Sequence, residues 1–346
     1  MKVLRLALAV LALACLAGCG GTSGADSAST DCAKKPAGTP KGKPLPLIDI
    51  TLNGKDGPEN ASILMAAKCG FFTEAGFNVT VTSPGGMNYP LFYVASGTVQ
   101  IAVSYQPQVA MAVAKGVPVT AIGSLVSEPT AALIWLKGSG IDGVADLKGK
   151  TIAVPGVPFQ KELLETILAK EGLTLADVDV DVVGYELLPT LVEGKADAIF
   201  GGSANLEGAA LEARGLDPVI TPVQDLGVPG YDELVVIARP DFGAENPKLI
   251  RDFMTALSRG RAAAVADPGR VRKILEGSSE AAYDLTPAER QAQIDATFPL
   301  LSESAHMDPE QAEDLAGWMY REGLVDQRPR VSAMLTNRYL GEGDES

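Results

Sequence analysis

Apolar and polar positions alternate along Leu47–Leu52 (LIDITL), the two-residue period of a strand with one buried face. Ala61–Ala75 carries apolar residues at helical spacing and closes on Gly76, a residue suited to a helix C-terminus. Phe77–Thr82 (FNVTVT) reads as a second strand, Asn88–Ser96 as a helix and Val99–Val103 as a short buried strand. A helix over Pro107–Ala114 and strands over Val119–Leu125 and Ala131–Leu136 follow. This alternation predicts a mostly parallel sheet covered by helices. The pattern restarts after Asp146–Gly149. Strands are predicted at Thr151–Val154, Asp179–Val183, Ala196–Phe200, Val219–Ile220 and Leu234–Ile237, with helices at Phe159–Glu171, Leu187–Glu193 and Leu206–Arg214. From Pro247 onward the pattern is helical, over Lys248–Ala266, Pro268–Glu276, Pro287–Leu301 and Pro309–Glu322.

The body therefore divides into a first lobe at 47–134, a second α/β lobe at 135–234, and a return strand with C-terminal helices at 235–340. Parallel sheets place ligand sites beyond the carboxyl ends of their strands, so two facing edges form a cleft. The hinge is expected near Trp135–Gly138 and Val235–Arg239.

The segment before this body has a different character. Lys2 and Arg5 precede the uncharged run Leu6–Gly18, which is too short to span a bilayer and reads as a signal-peptide core over residues 1–18. The run ends in Leu16-Ala17-Gly18-Cys19, which resembles the lipobox of bacterial lipoproteins. The resemblance implies cleavage before Cys19 and lipid attachment to its thiol, and two or more acyl chains moor a protein stably. Residues 19–46, rich in Gly, Ser, Ala, Thr, Lys and Pro, read as a flexible tether. Of four cysteines, Cys15 leaves with the signal and Cys19 takes lipid. Cys32 and Cys69 remain in an oxidising compartment, either paired or free.

Composition removes several function classes. With 29 Lys+Arg against 43 Asp+Glu, the net charge of -14 disfavours nucleic acid and anionic lipid headgroups. A single histidine, His306, leaves little material for histidine metal sites or a Ser-His-Asp triad. No metal or other cofactor is expected.

Four segments carry a family resemblance: Gly70-Phe71-Phe72-Thr73-Glu74-Ala75-Gly76-Phe77; Ser104-Tyr105-Gln106-Pro107 with Lys115-Gly116-Val117-Pro118; Lys195-Ala196-Asp197-Ala198-Ile199-Phe200-Gly201-Gly202; and Gly227-Val228-Pro229-Gly230-Tyr231-Asp232-Glu233-Leu234. Over roughly Ile48–Leu340 the chain resembles ABC-importer solute-binding proteins for nitrate, sulfonates, taurine and thiamine pyrimidines, most closely the branch that binds the pyrimidine precursor of thiamine. The resemblance implies a type II periplasmic-binding-protein-like fold with a cleft between lobes and a helical C-terminal tail. It also implies an extracytoplasmic, membrane-anchored receptor, monomeric, whose partners are a pyrimidine-like small molecule and the permease and ATPase subunits of an importer. Two segments depart. Where the pyrimidine branch has Asp-Trp-x-Pro-Asn and an Asn-His pair, this chain has Leu52–Asn60 without Trp or His, so the aromatic lid of the first lobe is either missing or supplied by another residue. Ser203-Ala204-Asn205-Leu206-Glu207 keeps Asn and Glu but lacks the usual aromatic.

The candidate ligand-binding residues sit at strand ends and helix starts. Glu59 and Asn60 precede the first helix, where Asn60 is also suited to capping. Pro84-Gly85-Gly86 is either a backbone approach to ligand or a plain turn. Tyr105 offers a ring face and Gln106 donors and an acceptor. Phe159 and Gln160 open a helix after the Pro-rich loop Val154–Pro158, whose free N–H groups suit an oxygen. Asn205 and Glu207 follow a strand. Tyr231, Asp232 and Glu233 precede the return strand. A carboxylate there matches the ring nitrogen and exocyclic amine of an aminopyrimidine with two hydrogen bonds, whereas a sulfonate or nitrate needs arginine or backbone donors. His306 and Trp318 read as structural.

The expected function is capture of a small heteroaromatic and its delivery to a permease, with no bond broken. The alternative is an alkanesulfonate, taurine or nitrate cargo in the same family. A related fungal fold that makes the thiamine pyrimidine depends on histidine and a cysteine-rich motif, which this sequence lacks.

Overall fold

The computed structural model describes residues 32, 44–84, 89–279 and 284–341. The signal segment 1–18, the lipidation candidate Cys19, most of the 19–46 tether and Gly85-Gly86 lie outside the described residues.

Ten strands are present among those residues: β1 (Leu47–Thr51), β2 (Asn78–Thr82), β3 (Ile101–Ser104), β4 (Thr120–Val126), β5 (Ala131–Leu136), β6 (Thr151–Val154), β7 (Asp179–Val182), β8 (Ala198–Ser203), β9 (Pro218–Pro222) and β10 (Leu234–Ala238). They form two five-stranded sheets, ordered β2-β1-β3-β10-β4 and β7-β6-β8-β5-β9. In the first, β1 runs parallel to β2 and β3, and β10 runs antiparallel to both its neighbours. In the second, β6 runs parallel to β7 and β8, and β5 runs antiparallel to both its neighbours. Each sheet thus has one reversed strand, and in each it is the strand by which the chain arrives from the other lobe. The result is a two-lobed α/β protein followed by a helical C-terminal region.

All of β5 pairs within the second sheet and all of β10 within the first. The crossings therefore fall at residues 127–130 and 223–233, a few residues before each expected hinge. Apolar runs reveal a strand but not which sheet it joins, so the sequence put the boundary inside β5.

The helical stretch 61–75 is two helices, Ala61–Lys68 and Phe71–Glu74, broken at Gly70. Gly70 has φ 77°, a left-handed turn that costs a residue with a Cβ about 1 kcal/mol or more. The turn drives Phe71 and Phe72 into the core. Phe72 stacks on Phe253 with centroids 5.1 Å apart, and Phe77 lies 5.7 Å from Phe72 and 6.4 Å from Phe253. The Gly-Phe-Phe motif is thus a packing device: it docks the first helices against the long Pro247–Ala266 helix. Beside it, Cys32 and Cys69 form a disulfide with Cα atoms 4.9 Å apart.

Two short helices, Pro240–Glu245 and Val331–Met334, were not legible in the sequence. The predicted helix 206–214 is a five-residue π-helical turn, Ala204–Gly208, continuing into Ala209–Ala213. Trp318 is buried among apolar side chains, and the His306 Nε2 lies 3.0 Å from the Asn337 Nδ2. Among the described residues no helix is long and apolar enough to cross a membrane.

Candidate functional site

The carboxyl ends of β1, β3, β6, β7 and β8 converge, and the side chains just beyond them wall a cavity of about 80 Å³ between the sheets. That volume is enough for several waters or one small ring. From the first lobe come Asn53, Lys55, Glu59 and Tyr105. From the second come Gln160, Tyr185, Ser203, Asn205 and Glu207, while Thr130 and Glu233 come from the two crossings.

Asn53 ties the first-lobe wall together. It accepts a hydrogen bond from the Asn60 Nδ2 (3.0 Å) and donates to the Tyr105 hydroxyl (3.4 Å). Asn60 makes no side-chain cap for its helix, contrary to expectation: its Nδ2 donates to Asn53, its Oδ1 has no partner, and it is fully buried behind the wall. Tyr105 also packs on Phe159, centroids 5.4 Å apart. Phe159 is fully buried and supports the Tyr105 ring instead of facing the cavity.

On the second-lobe wall, the Gln160 Nε2 donates to the Gly201 carbonyl (3.2 Å). Gly201 has φ 80°, and a Cβ there would stand 2.6 Å from the Gln160 carboxamide, so only glycine admits this approach. Glu207 accepts the Ser203 N–H at 2.6 Å, folding the π-helical turn back on the end of β8. Such turns concentrate at functional sites.

The crossings are pinned by Glu233, whose Oε2 accepts the N–H groups of Thr130 (2.7 Å) and Ala131 (3.3 Å). Gln106 and Asp232 form a reciprocal pair away from the cavity. The Gln106 Nε2 donates to the Asp232 Oδ2 (3.2 Å), and the Asp232 N–H donates to the Gln106 Oε1 (2.9 Å). Tyr231 is fully buried in the core. Of the eleven expected ligand residues, Glu59, Tyr105, Gln160, Asn205, Glu207 and Glu233 reach the cavity, whereas Asn60, Gln106, Phe159, Tyr231 and Asp232 stand behind it.

Tyr185 was missed. It follows β7 and carries Lys55 over its ring, the Nζ 5.6 Å from the centroid, so it places a ring face beside the first-lobe segment Leu52–Asn60 that lacks an aromatic. Its signal was the Val183-Gly184-Tyr185 step at a strand's carboxyl end, which a one-dimensional reading of lobe 2 had no reason to set opposite lobe 1.

The electrostatics are acidic. Glu59, Glu207 and Glu233 all line the cavity, and among the described lining residues Lys55 is the one cation. Burial raises the Glu59 carboxyl from 4.5 to about 7; its own backbone N–H opposes this, and Glu207, Asp56 and Glu233 add to it. Burial likewise raises Glu233, against the N–H groups of Thr130 and Ala131. Several buried polar atoms have no partner: the Glu59 Oε2, Gln160 Oε1, Asn205 Oδ1 and Tyr185 hydroxyl. Buried polar atoms are normally paired, so four unpaired ones on residues that line one cavity make it the candidate site. Among the described residues no group of His, Cys, Asp or Glu could hold a metal ion.

Two α/β lobes joined by two crossings, with a small polar cleft at facing strand ends, define a periplasmic binding protein architecture. Residues 57–271 match the family model described as NMT1/THI5 like, and the chain belongs to that family. It is similar to a protein named for thiamine biosynthesis from Haemophilus influenzae, with 31% identity over 80% of this chain and 88% of that one. It is also similar to the formylaminopyrimidine-binding protein of Halalkalibacterium halodurans, with 30% identity over 75% of this chain and 74% of that one. A 4-amino-5-hydroxymethyl-2-methylpyrimidine phosphate synthase of Schizosaccharomyces pombe is 26% identical over 85% of this chain and 86% of its own. Among solved structures, the alkanesulfonate-binding protein SsuA of Xanthomonas axonopodis pv. citri superimposes with a TM-score of 0.66 at 17% identity, covering 85% of this chain and 99% of that one; it shares the fold.

Proposed function

We propose that this protein is an extracytoplasmic solute-binding receptor of an ABC importer. It takes a small amino-bearing heteroaromatic of the aminopyrimidine class and presents it to a permease. The observation that carries this reading is the cavity itself: one-ring size, flanked by the Tyr105 and Tyr185 rings, lined by three carboxyl groups and by no arginine among the described residues. A carboxylate beside a ring nitrogen and exocyclic amine gives two charge-assisted hydrogen bonds. The name of the Halalkalibacterium relative supports the same ligand class. Scavenging requires affinity of about micromolar or tighter, roughly 8 kcal/mol.

Binding proceeds without bond cleavage. Supporting this reading, neither His nor Cys lines the cavity among the described residues, and His306 sits in the C-terminal region beside Asn337. The Lys55 ammonium at the cavity edge favours a second reading, a sulfonate-type anion, which the three acids oppose. An anchor at Cys19 would keep the receptor at the outer face of the membrane.

Calorimetric titration separates these readings. Wild-type protein is expected to bind 4-amino-5-hydroxymethyl-2-methylpyrimidine or its N-formyl relative and to ignore taurine and ethanesulfonate. Binding of the sulfonates alone overturns the assignment, and turnover of the pyrimidine into a new product overturns the receptor reading.

A further inference from the structure

The Pro287–Thr297 helix belongs to neither wall of the cleft, yet it touches both lobes. Ile294 is buried in the first-lobe core, and the helix packs against the Pro58–Asn60 turn that carries Glu59. Its other face points to the second lobe. Glu289, Gln293 and Thr297 are spaced four residues apart, which sets them in one row along the helix. Each is buried, and each bonds the segment that holds Asn205 and Glu207. Glu289 accepts from the Arg214 Nε at 2.6 Å, the Gln293 Nε2 donates to the Leu206 carbonyl at 3.1 Å, and the Thr297 Oγ1 accepts from the Asn205 Nδ2 at 2.7 Å. Glu289 also closes a capping box with Thr286, which fixes the start of the helix.

The third rung reaches the binding site. The Asn205 amide is divided: its Nδ2 is committed to Thr297, its buried Oδ1 has no partner, and the residue lines the cavity. Thr297 thus sets the amide's orientation and leaves its acceptor for ligand.

We propose that the Pro287–Thr297 helix is an interlobe clasp, with Thr297 as a positioning residue for Asn205. The three rungs hold the lobes closed over bound ligand and part when the cleft opens. The role in retention rests on the reading of the cleft as a ligand site; the clasp itself does not. Ligand release must break the rungs, so they act on the dissociation rate, whereas entry into an open cleft does not use them.

Two measurements test this. In stopped-flow binding of 4-amino-5-hydroxymethyl-2-methylpyrimidine, Thr297→Val, which keeps the shape and removes the acceptor, is expected to raise koff about fivefold to tenfold, the effect of one lost buried hydrogen bond. The association rate stays within about twofold, and Thr297→Ser restores wild-type release. Arg214→Met, at a half-exposed partner, is expected to move koff the same way by a smaller factor. The second measurement needs no ligand: spin-labelled unnatural residues at exposed Ser258 and Glu193, one on each lobe, report the interlobe distance. Adding Thr297→Val and Arg214→Met is expected to enlarge the long-distance population. Unchanged distances overturn the clasp. Changed distances with unchanged koff overturn its role in retention. If wild-type protein fails to bind the pyrimidine, the proposed function falls and the distances alone decide the clasp.

Discussion

The Phe72–Phe77–Phe253 cluster and the cleft are both buried, but they are finished differently. The cluster is closed by ring against ring, and its apolar atoms need nothing more. The cleft is closed by polar side chains that satisfy one another only in part, leaving the Glu59, Gln160, Asn205 and Tyr185 oxygens without partners. Burial by itself therefore says little about role. What separates the two regions is whether the buried atoms are already satisfied, because an unpaired buried polar atom costs about 1–3 kcal/mol until a ligand supplies the missing contact.

If the cluster is the stabilising region, opening it should produce the largest loss. Phe253→Ala is expected to cost about 3–5 kcal/mol in chemical denaturation while leaving ligand affinity per folded molecule unchanged. A loss under about 1 kcal/mol would put the stabilising packing elsewhere. The neighbouring disulfide joins residues 37 apart in sequence, and its reduction is expected to cost about 3–4 kcal/mol, seen as a lower Tm under reducing conditions.

The cleft should show the opposite signature, with acids that weaken the fold. Glu59 titrates near 7 in the folded chain against 4.5 ordinarily, so the folded state holds its proton more tightly. Its contribution to stability is fully present below about pH 4.5, falls as pH rises to about 7, and is flat above, a loss of up to about 3 kcal/mol across the window. Denaturation of Glu59→Gln at several pH values is expected to show a flatter slope between those limits and higher stability than wild type at pH 8. A slope identical to wild type would move the titration to another acid, such as Asp232, which burial also raises to about 7. The smallest effect sharpens the comparison most. Tyr185→Ala is expected to weaken the aminopyrimidine by about 1 kcal/mol, roughly fivefold, with little change in stability. A stability loss on the scale of Phe253→Ala would mean that Tyr185 belongs with the cluster.

The residues differ in how legible they were. Glu59, Tyr105, Gln160, Asn205 and Glu207 could be marked from the sequence because each follows a strand or opens a helix, and a strand's carboxyl end faces the cleft in this architecture, whereas Glu233 could be marked because it immediately precedes the return strand β10. Their neighbours Asn60, Gln106, Phe159 and Asp232 share those loops but turn inward. One residue of register decides which side chain of a loop meets the cavity, and composition carries no such information. Tyr185 was hidden for a related reason: its importance lies in facing a segment some 130 residues earlier in the chain.

By itself the sequence determined the alternation of strands and helices, the two α/β units, the acid-rich chemistry and the family signature, because periodicity and local motifs are set by neighbours along the chain. Only the tertiary structure decided where the chain crosses between sheets, which acids share the cavity, that Glu233 pins the crossings, and that a C-terminal helix bonds the turn carrying Asn205. These depend on contacts between residues tens to more than a hundred positions apart. Their free energy exists only once both lobes have formed, so no local pattern records them.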